Sequence, residues 1–187
     1  GTVVNGAAVQ FSGSVYDSEA ADDFVVTDAG GWDVSGVNLQ VTFSDVAPGG
    51  ITYDVNVYPD SGGAPGGSAT CSYPGIAGTL DGSETGLSIS LPSTCSLGAG
   101  TYWLSVVPNF IWPPQFYWSM NGDAAINASG HWRNPGDGYA TGCTAWAPNS
   151  SCGFVESNYL FESLGAAGGG GGGCTAGGLC LEVTPGT

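Results

Sequence analysis

Apolar and polar residues alternate from the start of the chain. In "GTVVNGAAVQFSGSVYDSEAADDF" every second position places Val3, Ala7, Val9, Phe11 and Val15 on one face, while Thr2, Gln10, Ser12 and Ser14 fall on the other. A period of two predicts a β-strand. The alternation returns at Val37, Leu39, Val41 and Phe43 in "VNLQVTF", and at Tyr53, Val55 and Val57 in "ITYDVNVY". Further strand-like runs are "FVVTD", "GLSISL", "TYWLSVV", "QFYWS", "NYLFES" and "LCLEV". The breaks between them, such as "APGG", "YPDSGGAPGG" and "NPGDG", are rich in the residues that turns require. No long segment carries a helical period. The pattern predicts an all-β fold, an antiparallel β-sandwich of immunoglobulin-like or jelly-roll type.

Composition narrows the partners. At 187 residues the chain suits one domain with a sizeable core. Hydrophobic residues make up 42% and charged residues 9%. That describes neither a disordered acidic chain nor a membrane protein, and no run approaches the roughly 20 apolar residues of a membrane helix. Sixteen acids face a single base, Arg133, for a formal charge of −15. Nucleic acid and anionic membranes need clustered Lys and Arg and are poor partners. Cations, or a neutral polymer such as a glycan, are more compatible.

The six cysteines at 71, 95, 143, 152, 174 and 180 include no Cys-x-x-Cys pair. An even count without metal spacing predicts disulfides and an oxidising compartment. Nearest-neighbour pairing, Cys71–Cys95, Cys143–Cys152 and Cys174–Cys180, is expected because each pair brackets a turn-rich stretch. No leader sequence is visible, so the chain reads as a mature form processed before Gly1. The run "GAAGGGGGGCTAGG" matches dinucleotide-loop spacing only as any glycine run does, without a βαβ context. It reads either as a linker or as a segment crossing a crowded surface toward a last strand. The expected organisation is an N-terminal strand over 1–16, a sandwich over 17–164, and a Gly-rich crossing segment with a C-terminal strand over 165–187.

Candidate chemistry is sparse. A nucleophile would have to use His131, the lone histidine, and no nucleophile-elbow sequence is present. An acid-pair glycosidase is formally open, but the acids are expected to solvate a lysine-free surface. Neither catalysis nor a cofactor is expected. In "DSEAADD", Asp17, Glu19, Asp22 and Asp23 read as a solvated hinge, with oxygen ligation of calcium as the alternative. The segment "TYWLSVVPNFIWPPQFYWSM" reads as a hairpin whose rings fill the core, with Trp112, before two prolines, as the exposed exception. Trp132 and Trp146 are weaker candidates for glycan contact, and glycans are expected to bind weakly or not at all. Arg133 is expected to form an internal ion pair, to stack on a ring, or both. Asn127-Ala-Ser and Asn149-Ser-Ser match the N-glycosylation acceptor pattern.

Through "ADDFVV" (21–26), "VYPDSGGAPG" (57–66), "GTYWLSVVP" (100–108) and "GHWRNPGDGY" (130–139), the chain resembles secreted bacterial β-sandwich proteins. It also looks like the protomers of uncharacterised pilus-like extracellular fibrils built by donor-strand exchange. The resemblance covers most of residues 1–164. It implies a structural subunit in which one protomer's N-terminal strand completes the sandwich of another, forming a homopolymer. The N-terminal residues suit such a role on their own terms. Val3, Ala7, Val9, Phe11 and Val15 alternate, charge begins only at Asp17, and no lysine blunts a sheet edge. The alternatives are pairing within the chain's own sandwich and, for function, a carbohydrate-binding module or surface lectin.

Overall fold

The computed structural model describes residues 3–121, 126–155 and 158–168. In chain order the strands are β1 (Val3–Ala8), β2 (Glu19–Val26), β3 (Trp32–Phe43), β4 (Thr52–Pro59), β5 (Cys71–Ala77), β6 (Thr79–Leu80) and β7 (Gly86–Leu97). They continue as β8 (Gly100–Asn109), β9 (Phe116–Asn121), β10 (His131–Arg133), β11 (Ala147–Pro148), β12 (Asn158–Tyr159) and β13 (Phe161–Ala167). A short 3-10 turn spans Asn149–Cys152. The expected runs all fall on strands, apart from "LCLEV", which lies outside the described residues together with Cys174, Cys180 and the glycines from 169 on.

Two antiparallel sheets pack face to face, as the alternation predicts. The first runs β1-β9-β3-β7-β6, with β12 paired to β9 and β13 to β3. The second runs β11-β10-β2-β8-β4-β5. Inward positions interdigitate: Val37, Leu39, Leu87, Ile89, Phe116 and Trp118 from the first sheet meet Phe24, Val26, Val55, Val57, Leu104 and Val106 from the second. β13 continues through Gly165 to Ala167 against β3, so the expected domain boundary at 164/165 falls inside a strand.

The second sheet is covered on its outer face as well. Ala21, Tyr58 and Trp103 form a separate buried cluster there, overlaid by Ala69, Ala128 and Trp146. For that reason β8 is buried continuously from Trp103 to Pro108 rather than alternating. Three of the tryptophans buried in the two clusters satisfy their indole N–H groups within the protein. Trp103 donates to Asp60 Oδ1 (2.9 Å), Trp118 to the Leu160 carbonyl (3.0 Å) and Trp132 to the Ala8 carbonyl (2.8 Å).

Two of the expected disulfides are present. Cys71 at the start of β5 bonds Cys95 in β7, which staples the second sheet to the first. Cys143 bonds Cys152, both buried in the main core that includes Trp132. Both bonds fit an oxidising, non-cytosolic compartment. Among the described residues no helix is long and apolar enough to cross a membrane.

A loop of 24 residues closed by a disulfide stabilises by about 3 kcal/mol in the chain-entropy model. The double variant Cys71→Ser/Cys95→Ser is therefore expected to lose about that much in urea unfolding, and mapping of a non-reduced digest should recover the 71–95 and 143–152 links.

Candidate functional site

The N-terminal strand pairs with β9 of its own chain. Val3 lies opposite Asn121 and Val4 opposite Met120, then a register shift brings Ala7 to Trp118 and Ala8 to Tyr117. Glycine is required at position 6, because a Cβ there would overlap the Trp118 carbonyl. Ala7 and Val9 are fully buried in the core. The strand's end is held by three donors: the Trp132 indole and the Ser18 hydroxyl (2.9 Å) reach the Ala8 carbonyl, and Val9 N–H reaches the Phe116 carbonyl (3.2 Å).

The N-terminal strand expected over 1–16 is, over its described residues, not one strand. Its regular ladder ends at Ala8, and Gln10 and Phe11 cross toward the second sheet, where Phe11 N–H reaches the Pro108 carbonyl (3.0 Å). Residues 12–17 then form a turn knotted by Asp17, whose carboxylate accepts the backbone N–H groups of Ser12, Gly13 and Ser14. In this chain Phe11 is 45% exposed and Val15 55%. Both face solvent because the alternating pattern runs on into a turn.

The acidic segment is not the solvated hinge that its composition suggests. Glu19, Asp22 and Asp23 are buried in β2. Glu19 takes the Tyr58 hydroxyl (2.9 Å) and the Ser105 hydroxyl (2.7 Å) on one oxygen. Its other oxygen takes Arg133 Nε (2.9 Å) and forms the ion pair with Arg133 Nη2. The guanidinium carbon sits 4.3 Å from the centroid of Trp146. Arg133 thus makes both an ion pair and a ring stack, as its position beside an indole predicted. Asp22 accepts Tyr159 N–H (2.6 Å), and Asp23 accepts Ala128 N–H (3.2 Å). Burial pushes the Asp22 carboxyl well above the usual carboxylate range and raises Asp23 to about 6. Burial acts oppositely on His131, lowering its pKa; the ring is T-shaped against Trp103 at 4.8 Å and contacts the Ser129 carbonyl through Nδ1. No group of three or more His, Cys, Asp or Glu side chains that could hold a metal occurs among the described residues.

The aromatic candidates separate sharply. Trp112 is 62% exposed and stands over an open cleft of about 640 Å³. Trp132 is buried, so it is removed as a surface contact; its ring packs edge-on against Tyr139 and Phe154. Trp146 is occupied by Arg133 on its ring and by Tyr58 at 5.9 Å. The cleft was not legible in the sequence. Tyr16, Ile111, Trp112 and Tyr139 form its apolar walls, and Gln10, Ser12, Ser14 and Gln115 line it with amides and hydroxyls. Among the described residues no carboxylate lines it, so they offer no acid pair there for hydrolysis. Of the two glycosylation acceptors, Asn149 is fully buried and takes the Tyr159 hydroxyl (3.0 Å), whereas Asn127 is exposed.

A carboxyl whose pKa is raised by folding stabilises the fold below its unfolded value, and that stability is lost as pH rises through the folded value. For Asp23 the window is from about pH 4 to about 6. Asp23→Asn keeps an acceptor for Ala128 N–H. It is expected to raise the Tm relative to wild type at pH 7.5, with the difference vanishing by about pH 4, read by calorimetry as wild type minus variant so that His131 cancels. Arg133→Ala leaves a buried carboxylate unpaired and should cost about 3 kcal/mol in denaturant unfolding.

Compared with protein-family models, curated proteins and solved structures, the chain matches none of them, and its functional reading rests on this geometry.

Proposed function

We propose that the chain is a structural subunit of an extracellular pilus-like fibre, polymerising by insertion of its N-terminal strand into a neighbouring protomer. The observation that carries this reading is the position of β1. It is a terminal edge strand, and among the described residues it is the element paired along the outer edge of β9. Its Ala7, with Val9 just beyond it, fills the core, and the chain then runs through Gln10 and Phe11 into the exposed 12–16 turn.

Withdrawing such a strand uncovers an apolar slot and a row of unpaired β9 backbone groups, which is a template for strand addition. The same strand from another copy restores every partner: the β9 ladder, the close approach at Gly6, and the Trp132 and Ser18 donors to Ala8. Nothing about the pairing has to be invented for the exchange. Residues 10–17, drawn out, span roughly 26 Å, the reach available toward an adjacent protomer. Strand and slot are different surfaces, so the contact is heterologous and propagates as a filament unless it closes into a ring. The buried segment carries no charge before Asp17, so transfer desolvates no ion.

Deleting residues 1–15 is expected to abolish polymerisation, read by electron microscopy and native size, and adding a peptide of residues 1–16 should restore a stable folded monomer. Gly6→Val should act like the deletion, since its side chain collides with the β9 backbone in cis and in trans. Normal fibres from either variant would sink the donor-strand reading.

A further inference from the structure

We infer that the cleft beside Trp112 is a binding site for a neutral carbohydrate chain. Its chemistry selects that class by elimination. An anion finds no cation: the chain's single basic residue, Arg133, is engaged by Glu19 and Trp146. A cation finds no carboxylate in the lining among the described residues, and the nearby Asp17 spends its oxygens on three backbone N–H groups. A purely apolar ligand would cover the Trp112 face but leave Gln10 Oε1 without a donor. Sugars present both kinds of surface at once, apolar C–H faces that lie on aromatic rings and hydroxyls that both donate and accept.

A second observation points to a ligand. Gln10 lines the cleft, is 3% exposed, and its Oε1 has no hydrogen-bond partner among the described residues. Its Nε2 reaches only the Phe110 carbonyl, at 3.5 Å. A buried amide oxygen left unpaired is costly, and one such atom calls for an explanation. A sugar hydroxyl in the cleft supplies the missing donor once the Gln10 amide turns toward it. The ring positions are set for this. Tyr139 is fixed by its hydroxyl on Gln115 Oε1 (3.1 Å) and packs edge-on to Tyr16 at 5.3 Å, leaving the Trp112 face open. Such a site departs from the expectation of weak or no glycan binding, which was drawn where no sequence pattern placed Gln10 and Tyr16 beside Trp112.

The cleft is formed while β1 lies on its own β9, so its test uses the monomer and reads sugar binding, while the fibre reading is read by assembly. Monomeric chain of residues 1–187, separated by size, is titrated by calorimetry and tryptophan fluorescence with cello-, xylo-, malto-, manno- and chitohexaose, and with polygalacturonate as an anionic control. At least one neutral hexasaccharide is expected to bind. Trp112→Ala and Gln10→Leu should each weaken it about tenfold or more, while Val46→Ala, at an exposed site away from the cleft, should not. Gln10→Leu removes an unsatisfied polar atom, so its thermal stability should be no lower than wild type, which separates lost binding from lost folding. The proposal is overturned if no neutral sugar binds at millimolar concentration, if polygalacturonate alone binds, or if both cleft variants bind as wild type does. It is also overturned if Trp112 is quenched only by contact with a second copy of the chain.

Discussion

The pairing of Glu19 with Arg133 is the contact on which the outer half of the molecule depends. A carboxylate buried in β2 without a cation would cost several kcal/mol, and the chain contains one residue able to supply the charge. Arg133 does so in the geometry to which guanidinium is suited, donating to one carboxylate oxygen while its flat face rests on Trp146. The pair fixes β10 against β2 and so covers the outer face of the second sheet. The chain leaving β10 then carries Asn134, which donates to the carbonyls of Val15 and Asp17 (both 2.7 Å). Gly138 follows, where a Cβ would lie 2.7 Å from the Tyr16 ring and the Val15 carbonyl. Both the base of the N-terminal strand and the wall of the cleft are thus held by a segment that one ion pair lays down.

The remaining acids show how a protein with a formal charge of −15 and no lysine uses carboxylates. Many of them accept hydrogen bonds from local backbone N–H groups rather than from cations. Asp17 binds three such groups in the 12–17 turn, Asp81 binds Ser83 and Thr85, and Asp28 binds Gly30. At Asp81 the Ser83 hydroxyl, with the backbone donors, holds the carboxyl below its usual range. Asp22 and Asp23 behave oppositely because burial outweighs the one or two N–H groups that each receives. The loops are therefore tied by charge, while the acids inside β2 carry a desolvation cost.

The proposed strand exchange and the proposed sugar site share residues 10–16. Gln10, Ser12, Ser14 and Tyr16 line the cleft while β1 lies on its own β9. Occupancy of the cleft and release of the strand then act on one segment, and linkage makes each disfavour the other.

Sequence alone determined the all-β class and nearly every long strand, and it led to the expectations of the 71–95 and 143–152 pairs, an exposed Trp112 and an ion pair or ring stack at Arg133 that the structure then decided. Those features follow from period-two burial, from turn chemistry, and from residues whose options were few. It misread "DSEAADD" as a hinge, because a carboxylate's burial is decided by distant donors. Glu19 meets Ser105 and Arg133 across 86 and 114 positions of chain. Short or irregular strands such as β5, β10 and β11 carry too little alternation to register, and Trp132 looked like its exposed counterparts because an indole reads alike in core and surface. The cleft joins the 10–16 segment, the Ile111–Gln115 loop and Tyr139. Only the tertiary structure brings them together, since each is an unremarkable loop until the packing of β1 and β10 sets them side by side.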